Sequence, residues 1–321
     1  MTATGTEIKD ADLPGVSVVI PAYNYARFLP FAVESARSQD YPDFEVVVID
    51  DGSKDDTAEV MKQFGPPVRY VYQDNAGLSA ARNSGIREAK HDFVCFLDAD
   101  DELMPGMLRA AMTRFAGLDA GFGLVGCDCV NIDIEGRPLE VTKHAPEREG
   151  ELTVRDILIR TRFSPTGAVC RKGVFETCGG FDTSLRSTED RDMWIRIATR
   201  YRVWHLGREL VHIRKHGENM SNNAARQSAN MIVVLNKAHR AGAVPRSDFW
   251  FWRQVFAYQR FQSALIYNGI KKPAPAFWQL FLSVLTCPWF VNARYFGYPS
   301  LFRLRHFIRF ALNVVTGEVK R

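Results

Sequence analysis

The chain is 321 residues long, 46% hydrophobic and 24% charged, with a formal net charge of +4 at pH 7. These values are ordinary for a soluble globular protein and exclude the compositional extremes, while the length exceeds a typical single domain, so a main domain with an accessory region is expected. The charge is unevenly divided: Arg240 to Arg321 holds twelve Lys or Arg against Asp248 and Glu318, a net +10 that leaves the remainder at −6.

Met1 to Asp12 is polar and mixed in charge, without the apolar segment of a secretory signal, and residues 1–15 read as a tail. The six cysteines, at 95, 127, 129, 170, 178 and 287, form no CxxC pair and lie mostly in apolar runs, which suits buried reduced thiols and a cytoplasmic setting. Val16 to Ile20 is a strand followed by the loop Pro21-Ala22-Tyr23-Asn24; Phe44 to Ile49 is a second, followed by Asp50-Asp51-Gly52-Ser53. Such near-continuous β-branched runs suit parallel strands covered on both faces. Between them Arg27 to Ser38 has apolar or small residues at Phe28, Phe31, Ala32, Ser35 and Ala36, a helical spacing. Lys54 to Phe64 repeats the helical pattern, and Ser53 with Asp56 approximates a capping box, the preferred reading of that serine. Val68 to Tyr72 is a third strand, Gly77 to Ala89 a helix and Asp92 to Leu97 a fourth strand. This alternation predicts an open α/β sheet, whose ligands bind beyond the carboxyl ends of the strands.

At that edge lies Asp98-Ala99-Asp100-Asp101. Crowded carboxylates repel one another, so a divalent cation is the first expectation for them; an acidic turn capping a helix near Met104-Pro105 is the bland alternative. Farther on, Gly121 to Val141 reads as strands, Phe163 to Arg171 as loop and strand, and Cys178 to Asp182 as a turn. Glu189 to Arg200 is a helix with Trp194 and Ile197 inward, and its opening acids suit either chemistry or the helix dipole. Leu210 to Ile213 is a strand leading into Arg214-Lys215-His216, where two cations beside an imidazole suit a pyrophosphate; Asn219 and Ser221 serve equally well as caps of a helix beginning near Asn222.

The last hundred residues are helical in pattern and dense in aromatics, from Phe249-Trp250-Phe251-Trp252 through Phe256, Phe261, Phe277-Trp278, Trp289-Phe290 and Tyr295-Phe296, interleaved with Arg253, Arg260, Lys271, Lys272, Arg294, Arg303, Arg305 and Arg309. Aromatic and basic helices suit an anionic membrane surface, and equally a subdomain packed on the main body or on a second subunit. The longest apolar run, Ala276 to Val291, is short of the ~20 residues that span a bilayer. Nucleic acid is disfavoured by the acidic front.

The series VSVVIPAYN, VVVIDDGSKDDT, QDNAGLSAARNSGI and VCFLDADDE, followed by GGFD at 179–182, STEDRDMWIR at 187–196 and RKHGENMS at 214–221, closely resembles the family 2 glycosyltransferases. The resemblance covers residues 16 to 221; DxD alone would be weak, whereas seven motifs in order are strong. It implies a GT-A fold, a Rossmann-like, mostly parallel α/β sheet flanked by helices, with a catalytic domain over 16–222 and a helical C-terminal region over 223–321. Within the catalytic domain it assigns nucleotide-sugar binding to 16–120, and the acceptor side and base to 121–222.

By the same resemblance Asp100 is the direct ligand of Mn²⁺ or Mg²⁺, with His216 on the metal or diphosphate and Asp98 on the ribose or a metal-bound water, while Asp101 supports the loop. Tyr23 stacks on the base and Asp51 accepts from its imide N–H, which favours uracil or thymine and leaves guanine open; Pro21 and Asn24 belong to the same surface. Asn75, Gly77 and Arg82 approach phosphate or base, with a salt bridge from Arg82 to Asp98 or Asp51 as the alternative, and Arg214 joins the diphosphate loop. Asp190 is the base of an inverting displacement, with Glu189 and Asp192 as acceptor or sugar contacts. The resemblance implies a nucleotide-diphosphate sugar as donor, UDP favoured, and a saccharide or lipid-linked glycan as acceptor in bacterial surface polysaccharide synthesis. The cysteines and N-terminus suit a cytoplasmic setting, and the C-terminal composition suits peripheral binding at the inner face of the membrane as one of its two readings. A non-catalytic nucleotide-sugar-binding scaffold and a nucleotidyltransferase are the rival classes, and the latter lacks its glycine-rich, basic loop after the first strand.

Overall fold

The computed structural model describes residues 13–139, 148–160, 162–217, 219, 223–288 and 302–316. The expected tail up to residue 12, Glu218, Met220 and Ser221 of the late loop, the helix start near Asn222, and Trp289, Phe290, Arg294, Tyr295 and Phe296 lie outside the described residues.

The chain divides into two compact units. The first, Met1–Thr153 with Arg162–His216, is built on a nine-stranded mixed sheet. Its strands are β1 (Val16–Ala22), β2 (Phe44–Asp51), β3 (Val68–Gln73), β4 (Phe93–Phe96), β5 (Glu102–Leu103), β6 (Phe122–Ile132), β7 (Gly150–Leu152), β8 (Val169–Arg171) and β9 (Arg202–Arg214). They lie in the order β3-β2-β1-β4-β8-β6-β9-β5, with β7 also paired to β9. The first four strands are parallel, β8 is antiparallel to both β4 and β6, and β6 and β9 run parallel over a long, bulged register. Helices α1 (Leu29–Arg37), α2 (Thr57–Met61), α3 (Leu78–Glu88) and α4 (Met107–Ala116) complete the front half. α6 (Gly173–Cys178) and α7 (Glu189–Arg200) follow β8.

Full burial of β1, and of β2 from Glu45 onward, is what their continuous apolar sequences require. The chain steps from β1 to β2 to β3, then returns across α3 to place β4 on the other side of β1. That reversal opens a crevice at the carboxyl ends of β1 and β4, where doubly wound sheets bind ligands. Local patterns are corrected in places. In α1 the inward residues are Leu29, Ala32, Val33 and Ala36, whereas Phe31 is 56% exposed and Ser35 donates to Ala32 O. Ser53 does not cap α2: its Oγ accepts from Asn24 N at 2.9 Å, and Asp55 instead binds Thr57 N and Thr57 Oγ1. Five cysteines are buried, and Cys129 is exposed.

The second unit, Val154–Thr161 with Gly217–Arg321, is helical. It contains α5 (Val154–Ile159), α8 (Ala224–Ala241), α9 (Phe249–Gly269), α10 (Pro273–Thr286) and α11 (Phe302–Thr316). α9 is its axis, because polar groups along it bond each of the other described helices: Gln259 Nε2 donates to Ile159 O, Ser228 Oγ to Ser263 Oγ, Ser283 Oγ to Ala257 O, and Asn313 Nδ2 to Asn268 Oδ1. Asn223 caps α8 by accepting from Arg226 N. The aromatics divide by face: Phe251, Trp252, Tyr258 and Phe261 are buried, whereas Phe249, Trp250 and Trp278 are exposed. Among the described residues no helix is long and apolar enough to cross a membrane.

Candidate functional site

The carboxyl ends of β1, β2 and β4 are tied to one another by side chains that the sequence singles out. Asn24 takes a left-handed backbone (φ 56°) just after β1, and its Oδ1 accepts from Lys54 N beyond β2. Beside it Tyr23 is 42% exposed, a ring available at the crevice, while Pro21 is buried inside β1 opposite Ile49.

Asp51, buried at the end of β2, spends its carboxylate on the loop before α3. Oδ1 accepts from Gln73 Nε2 and Ala76 N, and Oδ2 accepts from Gly77 N at 2.7 Å. Asn75 Nδ2 donates to Asp51 O, and Gly77 (φ +90°) lets the chain turn so that its N–H meets the carboxylate. Asp51 therefore shapes the surface that a base would meet, and a ligand N–H would have to use a second lone pair on Oδ2.

The acidic loop after β4 is braced from beneath. Asp101, 4% exposed, accepts from Thr166 Oγ1 at 2.6 Å and from Arg214 N at 2.9 Å. Thr166 Oγ1 also accepts from Asp98 N. The carboxyl of Asp101 is held well above the usual range by burial and by its neighbours Asp100 and Asp98. The loop is not a helix cap, since α4 starts at Met107 behind Gly106 with no side-chain cap. Asp100 Oδ2 lies 3.0 Å from His216 Nε2, and the imidazole stacks on Phe28 with centroids 4.8 Å apart. Burial and the Asp98 charge raise the Asp100 carboxyl, and His216 opposes that shift.

Arg214, expected in the diphosphate loop, meets protein groups beneath the acidic loop. Its side chain is 3% exposed; Nε donates to Asp100 O, Nη1 to Asp133 O and Ile134 O, and Nη2 pairs with Glu102. The guanidinium lies beneath the loop because these carbonyls and the Glu102 carboxylate satisfy it there.

Arg82 is the hinge of the site. It is 1% exposed, and its guanidinium forks between Asp98 Oδ1 and Glu189 Oε1, both at 2.6 Å, with the Phe181 ring 5.4 Å from its Cζ. Of the two partners proposed for a salt bridge, Asp98 is the one it meets. Two carboxylates hold the buried cation firmly protonated. The next residue, Asn83, pairs with the backbone of Phe181 in both directions, Nδ2 to Phe181 O and Phe181 N to Oδ1, which fixes the Gly179-Gly180-Phe181 turn against α3. A Cβ at Gly180 would come within 2.5 Å of Asn83 Oδ1, so this approach requires glycine.

The three acids that open α7 thus have different fates. Glu189 is buried on Arg82. Asp192, 3% exposed, binds Arg196 Nε at 2.8 Å, and Arg196 in turn donates to the carbonyls of Cys178, Gly179 and Gly180. Asp192 thereby braces the turn through Arg196. Asp190 lies half-buried between them, its carboxyl pushed up to about 6 by burial first and Glu189 second, with Arg82 opposing. The helix enters through Thr188 in a left-handed conformation (φ 61°), and Trp194 anchors it in a cluster with Phe96, Phe163 and Phe181.

A divalent cation is compatible with the donor set at the end of β4. Asp98 and Asp100 are oxygen donors, His216 adds an imidazole, and the Asp100 carboxyl is raised by burial first and by the Asp98 charge second, both of which a bound cation would offset. Among the described residues, no group of three or more His, Cys, Asp or Glu already surrounds a common point.

The comparisons agree with this architecture. The family model described as "Glycosyl transferase family 2" matches residues 17–179. Among curated relatives, an uncharacterized glycosyltransferase of Rickettsia prowazekii is 29% identical over 67% of this chain and 68% of its own length. The chondroitin synthase of Escherichia coli is 30% identical over 70% of this chain, but over 33% of its own length. Among solved structures, residues 1–349 of Staphylococcus aureus TarS in complex with UDP-GlcNAc align with TM-score 0.66 and 18% identity, covering 96% of this chain and 93% of that one. A mannosyltransferase of Pyrobaculum calidifontis in complex with GDP-Man and Mn²⁺ aligns with TM-score 0.64 and 20% identity, covering 97% and 83%. At those identities the structures speak for the GT-A fold alone.

Proposed function

Because the chain belongs to glycosyl transferase family 2, we propose that it moves a sugar, with inversion, from a nucleotide-diphosphate donor to a saccharide or lipid-linked glycan during surface polysaccharide synthesis. The observation that carries this reading is the Arg82 fork, which joins Asp98 at the end of β4 to Glu189 beside Asp190. The donor end and the base end then belong to one site.

Tyr23 offers a stacking face for the base, and Asp51 with Asn75 and Gly77 forms the surface that reads its edge. A UDP-sugar is favoured, in keeping with the TarS complex, while the GDP-Man complex shows that the fold also accommodates a purine donor. Asp100, His216 and Asp98 would hold Mn²⁺ or Mg²⁺, which when bound neutralises charge developing on the leaving diphosphate.

Asp190 takes the proton of the acceptor hydroxyl as that oxygen forms its bond to the anomeric carbon and the bond to the diphosphate breaks. One displacement without a covalent sugar intermediate inverts the centre. A carboxylate raised to about 6 is a stronger base than an ordinary aspartate, yet it is mostly ionised at neutral pH. Glu189 keeps Arg82 in place and raises the basicity of Asp190 through its charge.

Calorimetry with UDP, GDP, dTDP and CDP, each with Mn²⁺ and with chelator, tests the donor side on wild type and Asp100→Ala. Metal-dependent binding of one nucleotide, lost in the variant, is expected; no binding of any nucleotide would overturn the reading.

A further inference from the structure

The helical unit contains, within itself, a half-open cleft of about 350 Å³ between α8, α9 and the end of α10. Its volume is near the lower end of small-ligand sites. The lining is unusual in charge: Arg246, Arg253, Arg260 and His239 contribute to it, and no Asp or Glu does. Among the described residues the hydrogen-bond acceptors of these guanidinium groups are all neutral, and Arg253 also lies over the rings of Phe249 and Trp250. Arg246 donates to His239 O and Arg240 O, Arg253 to Thr286 O at 2.6 Å and Leu285 O at 3.3 Å, and Arg260 to Gln279 Oε1 at 3.5 Å.

Helix capping explains part of this, because Arg246 and Arg253 reach the carbonyl ends of α8 and α10. It does not explain why two capping cations and Arg260, which caps nothing, converge on one concavity without an acid. Burial pushes the Arg260 guanidinium below its ordinary pKa, the mark of a cation that lacks a compensating anion. A guanidinium has five donors in a planar fork, so each of the three keeps donors beyond the bonds named.

The cleft also has an apolar wall and an apolar lip. The His239 ring meets Trp252 edge-on at 4.8 Å, and Phe249, which lines the cleft, is 55% exposed. Trp250 and Leu285, adjacent to lining residues, are 62% and 60% exposed. Several arginines without an acid suit the oxygens of a phosphate ester, and exposed aromatics at the lip suit what such an ester carries at a membrane surface.

We propose that this cleft is a binding site for a phosphate ester, supplied by an anionic lipid headgroup or by a free phosphorylated molecule. Its described lining residues all belong to the helical unit.

The test uses the full chain and three variants. Arg246→Gln with Arg260→Gln removes two cations from the cleft. Asn236→Glu places an acid at its exposed edge and leaves every arginine in place. Arg226→Gln with Arg240→Gln removes the same charge from exposed positions of the helical unit outside the cleft lining. Each is first checked by thermal melting, and Asn236→Glu decides the matter if the double cleft variant melts early. Two probes are applied: sn-glycerol 3-phosphate by calorimetry, and flotation with phosphatidylcholine vesicles with and without phosphatidic acid.

The expected result is at least tenfold weaker association in both cleft variants and little change in the control pair. Loss on both probes identifies the headgroup of a lipid, and loss on glycerol phosphate alone identifies a free phosphorylated ligand. Equal weakening in cleft and control variants, or wild-type association with neither probe, overturns the proposal. Phosphate binding that survives in the cleft variants belongs to the donor site and overturns it as well.

Discussion

Asp190 and Arg82 pull against one another at the residue scale. Burial and Glu189 raise the Asp190 carboxyl to about 6, and Arg82 holds it from rising further. Asp190→Asn is expected to lower transfer by about 100- to 10,000-fold, the usual range for loss of a general base, with nucleotide binding by calorimetry unchanged. In wild type, kcat should rise with pH through about 6 and then level, because only the ionised carboxylate accepts the proton. The stability consequence has the opposite sense. A carboxyl raised above its unfolded value binds more protons when folded, so its contribution is complete below about pH 4 and is lost as pH rises through about 6. Asp190→Asn should therefore melt above wild type at pH 8, with the gap closing toward pH 4.

Arg82→Met tests the other side. It leaves Asp98 and Glu189 facing a buried, uncharged side chain, and breaking a buried pair in this way costs about 3–5 kcal/mol. Urea unfolding reads that loss, and in whatever activity remains the rising limb of the pH profile should move upward. A limb that stayed in place would remove Arg82 from the electrostatics of the base.

The element scale concerns how α3, α7 and the turn between α6 and α7 lock together. Asn83 on α3 and Arg196 on α7 both bind the backbone of Gly179 to Phe181. Gly180→Ala drives a methyl into Asn83 and should cost about 1–3 kcal/mol, as overpacking does, with reduced transfer because the entry to α7 shifts. Protection of the α7 amides in hydrogen exchange measures that shift directly.

The strands and α7 were legible in the sequence for a physical reason: a strand covered on both faces must be apolar along its length, and an amphipathic helix must repeat near 3.6 residues. The division of labour among the α7 acids was not. Glu189, Asp190 and Asp192 are alike in chemistry, and only Arg82 and Arg196, 107 and 4 residues away from their partners, decide which are spent. Thr166 was also invisible. Its hydroxyl bridges Asp98 N and Asp101 only because β8 inserts antiparallel beside β4, a long-range pairing with no local signature. The misreadings at Ser53 and Phe31 have the same root: a tertiary partner outbid a local pattern, Asn24 N for the serine and the Arg214 guanidinium, 5.4 Å from the ring, for the phenylalanine.

For the whole molecule, a ligand that binds only the folded state stabilises it by mass action, by roughly 2.7 kcal/mol at a hundred times Kd, and so raises its melting temperature. Mn²⁺ with the correct nucleotide should raise the melting temperature of wild type, and chelator should reverse the gain. Asp100→Ala should show neither, since it removes the carboxylate that His216 faces. A full shift in that variant would place the metal elsewhere.

The fork at Arg82 also bears on how such a protein could be re-engineered. Segments are commonly exchanged between homologues at loop boundaries, on the assumption that a module carries its own contacts. Here the loop after β4 and the start of α7 share one cation that belongs to neither, so a transplant of either must arrive with a carboxylate at the matching position or leave the arginine with one partner instead of two. A library that randomised residues 98 and 189 one at a time would sample only variants that lose one side of the fork, whereas randomising them together with residue 82 would also sample combinations in which the three change in concert.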